Sequence, residues 1–294
     1  MGTGHPERAA RLTAINDQLI ASGLEFVLRQ HEAPRASDEQ LLRVHSAEYL
    51  ARLRAAAPSE GMVRFDEDAV MNPYTLRAAL RAAGAVVLGV DLVMAGRAQA
   101  VFCNVRPPGH HAERARAMGF CFFNNVAVGA AHALAIHGLK RVAIADFDIH
   151  HGNGTQAIFQ NEPRVLFCSS FQHPFYPFSG TEPAPEHIVN VPLQAGTDGA
   201  AFRAAISEHW LPALERFRPE LILISAGFDG HHEDDMADGH LHASDYAWVT
   251  DALRGVAERH AGGRVVSTLE GGYALHALAR SVAAHLNALL GAMA

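Results

Sequence analysis

The chain has 294 residues, of which 49% are hydrophobic, and its formal net charge is -7. This length and apolar content are sufficient for a large core in one or two domains. The 24 Lys and Arg residues are scattered rather than grouped. Together with the negative net charge, this argues against a direct nucleic-acid-binding surface.

The cysteines and the amino-terminal residues indicate the compartment. Cys103, Cys121 and Cys168 are an odd number without a CxxC pair, which is typical of a reducing compartment without a disulfide framework. Residues 1–12 are polar and charged, so no secretory signal is apparent. No run approaches the roughly 18 apolar residues of a membrane span. We therefore expect a cytoplasmic protein without a membrane partner.

Apolar periodicity predicts the helices and strands in chain order. The first helix is predicted within residues 4–22, where Leu12, Ile15 and Leu19 lie at helical spacing after a proline. Further helices are predicted at residues 37–53, 74–94, 125–137, 155–159, 200–217, 244–259 and 274–290. Strands are predicted at residues 99–104, 142–145, 164–168, 221–224 and 264–269, and a long loop at residues 171–185.

From residue 99 onward the predicted strands alternate with helices. This alternation predicts an α/β fold with a mostly parallel β-sheet, helices on both faces and right-handed crossovers. No linker, repeat or low-complexity tract divides the chain, so we expect a single domain over residues 1–294.

The densest group of chemically active side chains lies in residues 141–155, RVAIADFDIHHGNGT. The apolar run VAIA is typical of a strand that is buried on both faces, and the glycines that follow are turn formers. Because alternate residues of a strand point the same way, Asp146, Asp148 and His150 should converge on one side of its carboxyl end. Open α/β sheets hold their sites at that edge.

Two carboxylates and an imidazole on a buried strand need a positive charge among them. A divalent metal would supply it. Carboxylate and imidazole ligands without thiolate suit zinc, iron, cobalt or manganese, and few protein ligands leave positions open for water and substrate. The alternative is that these side chains only hydrogen-bond a loop.

Three other groups are expected at the same edge of the sheet. Asp229 lies shortly after the apolar run LILI, where a strand leaves the core, and is either a turn or helix cap or a third metal ligand. In residues 270–273, EGGY, paired glycines let the backbone approach a ligand closely and present a phenol. His110 and His111 lie on a proline- and glycine-rich loop and are either proton-transfer groups or plain loop residues.

Together, these segments resemble the histone deacetylase and acetylpolyamine amidohydrolase superfamily in order and approximate spacing. They are RPPGHHA (106–112), GFCFFNN (119–125), DFDIHHGNGT (146–155), SAGFDG (225–230) and LEGGY (269–273), and GHPER (4–8) fits as well. The chain looks most like the bacterial, class II-like branch, because Asn153 stands where other members have Asp. The resemblance implies the arginase/deacetylase-like fold.

The resemblance also implies two metal sites. A zinc ion, with Fe²⁺ or Co²⁺ possible in its place, would be held by Asp148, His150 and Asp229. Asp146 would not be a zinc ligand. It would instead lend its oxygens, with Ser169 and nearby backbone, to a structural potassium ion.

Catalytic roles are implied for five residues. Asp146 would orient His110, and His111 would act as general base and then general acid with support from Asn153. Tyr273 would donate a hydrogen bond to the oxyanion that develops during the reaction.

The substrate contacts are implied in the same way. Phe120 and Tyr176 would wall a narrow tunnel that admits an acyl-lysine or acylamine stem, with Gly119 and Gly271 beside it. Cys121 belongs to the same segment and is expected to serve in packing rather than as a nucleophile.

The implied reaction is zinc-dependent hydrolysis of an acyl amide, with acetyl-lysine of a protein or peptide as the expected substrate. Acetylpolyamines or other small acetylated amines are the alternative substrates. An inactive acyl-lysine or metal-binding scaffold would be favoured if a ligand, His111 or Tyr273 were missing. A ureohydrolase of the arginase type would need Asp-X-His-X-Asp, whereas this strand has Asp-X-Asp-X-His.

One departure from the family concerns the amino terminus. A strand usually precedes the HPER segment, and here Met1 lies three residues before Gly4. Either the chain is a shortened form or its true start lies upstream. A missing strand would expose a sheet edge and favour a homo-oligomer.

Overall fold

The protein is described by a computed structural model that covers residues 2, 4–66 and 68–291. Two short strands, β1 (Val63–Arg64) and β2 (Val70–Met71), form an antiparallel pair. The strands of the central sheet are β3 (Ala100–Cys103), β4 (Val142–Asp146), β5 (Val165–Gln172), β6 (Ile188–Leu193), β7 (Leu221–Ala226) and β8 (Val265–Leu269). All neighbours in this sheet are parallel, in the order β3-β8-β7-β4-β5-β6.

The α-helices surround this sheet. They are α1 (Ala10–Ala21), α2 (Asp38–Leu42), α3 (Ala47–Ala56), α4 (Thr75–Met94), α5 (Asn125–Ala135), α6 (Asn153–Phe159), α7 (Gly199–Ala205), α8 (Leu211–Phe217), α9 (Ala243–His260) and α10 (Leu275–Leu289). Among the described residues, no helix is both long and apolar enough to cross a membrane.

The apolar run of β7 shows why the sheet has helices on both faces. Leu221 and Leu223 belong to the core that α4 and α5 share with the sheet. Ile222 and Ile224 belong to the opposite core, which contains residues of α1, α9 and α10. Because successive side chains point to opposite faces, a strand that is apolar at every position needs a helical layer on each side. The predicted α/β fold with a parallel sheet is therefore confirmed.

The strand order determines where the site forms. β4 lies between β7 and β5, and Asp146 is in register with Ser225 on one side and with Ser169 on the other. β8 pairs with β7, so the segments that follow β4, β7 and β8 emerge side by side at one edge.

The structure differs from the predicted strands near the other edge. β5 continues to Gln172, so the predicted loop starts after that residue. β6 (Ile188–Leu193) was not predicted, because Asn190 and Pro192 interrupt its apolar pattern. As an edge strand it tolerates a proline, which removes one hydrogen-bond donor from the ladder.

Two predicted helices are each divided in the structure. The segment 37–53 forms α2 and α3, because Ser46 caps a new helix and its side chain accepts a hydrogen bond from the N–H of Tyr49. The segment 200–217 is divided by a π-helical turn, Ile206–Trp210. Pro212 lies two residues after that turn, and its missing N–H explains the break in the regular helical pattern.

Candidate active site

Asp148, His150 and Asp229 lie together at the carboxyl edge of the sheet. One ligand atom of each lies within 4.8 Å of the others. Nδ1 of His150 is 3.0 Å from Oδ1 of Asp148 and 3.2 Å from Oδ2 of Asp229. All three side chains are buried. The segments after β4 and β7 therefore bring together the three residues that the sequence proposed as zinc ligands.

The surroundings of these carboxylates leave room for a cation. Oδ2 of Asp229 is buried and accepts no well-formed hydrogen bond among the described residues, and its nearest cationic neighbour is Nδ1 of His150 at 3.2 Å. A side chain on Gly271 would overlap Oδ2 of Asp229, and one on Gly227 would overlap Asp148. An unsatisfied buried carboxylate oxygen, in a space that only glycines leave open, fits a divalent metal and its remaining ligands.

The charges of this group are strongly coupled. Burial lowers the pKa of His150, but the carboxylates of Asp229 and Asp148 outweigh it and raise that pKa to about 10. Burial, together with the charge of Asp148, raises the pKa of Asp229 to about 6. A proton on His150 thus supplies the positive charge in the metal-free chain, and a metal ion would replace it.

His111 is held in one tautomer by Asn153. Nδ1 of His111 lies 2.8 Å from Oδ1 of Asn153, whose Nδ2 donates to Oε1 of Glu113 at 3.0 Å. Because the Asn153 oxygen can only accept, Nδ1 of His111 carries the proton and its Nε2 is left as a base. Burial, and next the neighbouring charges of His110 and His150, hold the pKa of His111 well below its usual value.

His110 has the opposite electrostatic environment. Its Nδ1 lies 3.0 Å from Oδ2 of Asp146, and its Nε2 lies 3.8 Å from Oδ2 of Asp148. Burial lowers the pKa of His110, but the two carboxylates prevail and raise it to about 10. The two adjacent imidazoles therefore differ in charge: His110 is a cation and His111 is neutral at pH 7.

Asp146 also lies beside a second set of oxygen atoms. Its register partner on β5 is Ser169, whose buried hydroxyl has no hydrogen-bond partner among the described residues. A side chain on Gly152 would overlap Oδ2 of Asp146. Oxygen donors with an unsatisfied hydroxyl fit a hard cation such as potassium.

Tyr273 lies on the loop that follows β8. Oδ2 of Asp234 accepts hydrogen bonds from the N–H groups of Tyr273 and Ala274, at 2.6 and 2.8 Å. Asp234 is buried. Its carboxylate therefore fixes the backbone from which the phenol projects.

Arg11 supports the same loop from the other side. Its guanidinium donates to the carbonyl oxygens of Gly272 and Glu270, at 2.6 and 2.5 Å. Its Cζ also lies 4.9 Å from the centre of the Tyr273 ring. Arg11 is fully buried, so a residue of α1 is part of the support for Tyr273.

Glu270 connects this loop to the histidines. Its Oε2 accepts hydrogen bonds from the backbone N–H groups of Gly109 and His110, and its Oε1 accepts one from the Ser225 hydroxyl. The sequence included Glu270 in the EGGY segment without a role. The position of Glu270 directly after the last predicted strand could have indicated a buried role for this carboxylate.

The predicted tunnel residues line the cavity above the triad. Phe120, Tyr176, Gly119 and Gly271 all contribute to its wall, as do Asp148, His150, Asp229, His110, His111 and Tyr273. The rings of Phe120 and Tyr273 meet edge to face at 6.1 Å, and those of His111 and Tyr176 at 5.3 Å. Cys121 is buried with no exposed surface, in agreement with a packing role.

Asp68 is a wall residue that the sequence did not indicate. It accepts hydrogen bonds from the Tyr176 hydroxyl at 2.9 Å and from the N–H of Gly119 at 3.0 Å. An Asp in a short acidic run, DED at residues 66–68, carries no distinctive pattern, so only the folded chain shows that it lies at the cavity.

Known proteins share this arrangement of sequence and fold. Residues 5–289 match the profile of the histone deacetylase domain. The histone deacetylase-like amidohydrolase of Pseudomonas aeruginosa is 43% identical over 277 residues, which cover 92% of this chain and 73% of that protein. Human polyamine deacetylase HDAC10 is 41% identical over an alignment of 304 residues, with 97% of this chain and 44% of that protein covered.

A solved structure agrees with these relatives. The crystal structure of the HDA15 HD domain matches with a TM-score of 0.92 at 35% identity, over 100% of this chain and 85% of that one. The profile spans nearly all of the sequence, and the structural match spans all of it. We conclude that this chain belongs to the histone deacetylase family.

Proposed function

We propose that this chain hydrolyses an acyl amide, with zinc at Asp148, His150 and Asp229 and with acetyl-lysine of a protein or peptide as its substrate. One observation supports this proposal above the others. The ligand triad, the neutral imidazole of His111 and the phenol of Tyr273 line a single cavity. Metal-assisted amide hydrolysis needs these three functions close together.

Each residue would have a definite role in the reaction. Phe120 and Tyr176 would position the apolar stem and exclude water beside it. Nε2 of His111 would take a proton from the attacking water and later give it to the departing amine. The Tyr273 hydroxyl would donate to the carbonyl oxygen as its negative charge develops.

Zinc, when bound, would supply positive charge that polarises the amide carbonyl and makes water a nucleophile near neutral pH. His110 would remain a cation through its contact with Asp146. It would thereby keep the adjacent His111 weakly basic.

Three further assignments accompany this proposal. Asp146 and Ser169 would hold structural potassium. The cysteines are unpaired and buried, which supports the reducing cytoplasm as the compartment. A homo-oligomer stays a prediction, and light scattering of the purified protein tests it.

A small acetylated amine is the second candidate substrate. The observation that favours it is the 41% identity to a relative named as a polyamine deacetylase. Acetyl-lysine and an acetylated polyamine both place an amide at the end of an aliphatic stem, so the walls of the cavity suit both.

The test is acetate release by zinc-reconstituted protein from an acetyl-lysine peptide, acetylputrescine and acetylspermidine, measured side by side. Asp229→Ala is the blank, and Asp235→Ala is the matched control because Asp235 is exposed. We expect turnover that needs Asp229, fastest on the peptide. Faster turnover of the amines would move the substrate to polyamines. Zinc-loaded protein that is silent on all three would contradict the proposed activity and favour an inactive scaffold.

A further inference from the structure

Asp91, His132 and His137 form a second group of metal-ligand atoms, far from the cavity described above. One ligand atom of each lies within 4.8 Å of the others. Asp91 lies in the last turn of α4, and His132 lies in the last turn of α5. His137 precedes β4, whereas Asp148 follows it. The two groups therefore lie at opposite edges of the parallel sheet.

The geometry of this group converges on one oxygen atom. Oδ1 of Asp91 is 2.8 Å from Nε2 of His132 and 2.8 Å from Nε2 of His137. The side chains are 48%, 7% and 23% exposed for Asp91, His132 and His137, respectively. Two imidazoles and one carboxylate, with one side open to solvent, are a ligand set for zinc with positions left for water.

The ends of two helices make this place favourable for a cation. α4 and α5 both have their carboxyl-terminal turns here, and those turns present carbonyl oxygens with partial negative charge. One cationic side chain, the guanidinium of Arg43, already lies at this place. The guanidinium of Arg43 lies 3.2 Å from Nδ1 of His132, and its other terminal nitrogen lies 2.7 Å from Oε1 of Glu39.

The position of Arg43 determines where the His132 proton lies. A guanidinium can only donate, so Nδ1 of His132 accepts and its Nε2 carries the proton that it donates to Asp91. A metal on Nε2 would need that proton to move to Nδ1. The Arg43 guanidinium would then have to turn away from His132. Its ion pair with Glu39 could hold it after that movement.

We infer that Asp91, His132 and His137 bind a second divalent ion, of which zinc is the expected species, and that Arg43 competes with this ion for His132. Ligands at the usual zinc distances lie about 3.3 Å apart on a tetrahedron. The two nitrogens need to move only slightly from the carboxylate oxygen to admit the ion. This inference is independent of the proposed hydrolysis, because it concerns another edge of the fold.

The test is metal content per chain, measured by atomic emission after dialysis of metal-free protein against micromolar zinc. We expect two zinc ions in the unaltered protein. His137→Ala should hold one zinc ion and keep its turnover. Asp229→Ala should also hold one zinc ion but should lose its turnover. His209→Ala, which removes an exposed histidine outside both groups, should still hold two.

Arg43→Ala is the more specific variant, because it removes the competing cation without replacing a ligand residue. We expect it to bind the second zinc at least threefold more tightly, as measured by competition with a chromophoric chelator. A single ion per chain in the unaltered protein that His137→Ala also retains would overturn the inference. A second ion that remains bound in His137→Ala would also overturn it. The loss of the second ion in His242→Ala would overturn it too, because it would place that ion at His231, His232 and His242, which form a separate group.

Discussion

Oδ1 of Asn153 lies 2.8 Å from Nδ1 of His111, and the Asn153 amide is in turn oriented by Glu113. This pair sets both the tautomer and the basicity of His111. A neutral amide orients the imidazole without adding negative charge. The pKa of His111 therefore stays low, chiefly because the ring is buried and next because His110 and His150 are positive.

Asn153→Asp should shift the pH dependence of turnover. The new carboxylate would stabilise the charged imidazole and raise the pKa of His111. Because His111 must be neutral to accept a proton, activity is lost as pH falls through that pKa. We expect the acidic limb of kcat/KM to move upward by about one pH unit. Asn161→Asp, at an exposed position, is the control. If the pH profiles of the unaltered protein, Asn153→Asp and Asn161→Asp coincide, Asn153 does not set the pKa of His111.

Tyr273→Phe should remove most of the turnover and leave metal binding intact. The hydroxyl is proposed to donate to the developing oxyanion, and loss of one such donor costs roughly 10²–10³ in kcat. Tyr74→Phe serves as the control because Tyr74 is 66% exposed. Steady-state kinetics and metal content measure the two effects separately. Unchanged turnover would remove Tyr273 from the mechanism.

Asp234→Ala should misplace Tyr273 without removing it. The variant leaves two backbone N–H groups without their acceptor, and a shift of the phenol should lower kcat roughly tenfold to a hundredfold. Asp234→Asn keeps an oxygen that can accept both bonds, so it should recover most of the activity. The exposed neighbour, Asp235→Ala, should have no effect. A defect of equal size in Asp234→Ala and Asp234→Asn would indicate that the charge matters instead.

His285 should make the metal-free protein less stable in acid. Its Nδ1 donates to the Thr250 hydroxyl and its Nε2 accepts from Ser267, at 2.6 and 2.8 Å. Burial lowers the pKa of His285 to about 3, so the folded chain holds it neutral while the unfolded chain protonates it near pH 6.5. Its contribution is therefore complete above pH 6.5 and is lost as pH falls towards 3, by up to about 1.4 kcal/mol per pH unit.

Urea unfolding at pH 7, 6 and 5 measures this effect. The difference in free energy of unfolding between the unaltered protein and His285→Gln should shrink as pH falls. His209→Gln, at an exposed site, should give a curve parallel to that of the unaltered protein. A difference between the unaltered protein and His285→Gln that stays constant with pH would show that the pKa of His285 is the same in the folded and unfolded chains.

The central strands could be predicted from sequence because their signal is local. β4 and β7 begin with unbroken apolar runs, VAIA and LILI, and each run is followed within a few residues by a carboxylate, Asp146 and Asp229 respectively. Both the strand and the polar segment after it are therefore visible in a short stretch of sequence. β6 gave no such signal, because its position at the edge of the sheet tolerates Pro192. The pair β1 and β2 is too short to show any period.

The residues of the candidate site likewise include some that the sequence indicated and some that it did not. Asp148, His150 and Asp229 could be proposed as a group because each lies within four residues of the carboxyl end of a buried strand. Asp68 and Asp234 could not, because a carboxylate in a polar loop is usually solvated. Their importance arises only from the atoms that folding brings to them, such as the Tyr176 hydroxyl and the N–H of Tyr273.

The contact of Arg11 with the loop after β8 has a practical consequence. Residues near the start of the chain reach across the fold to carbonyl oxygens that precede Tyr273 in the sequence. A protease cut within α1 should therefore disturb catalysis even though it lies far from the loop in sequence. Specific activity therefore becomes a sensitive indicator that α1 is in place.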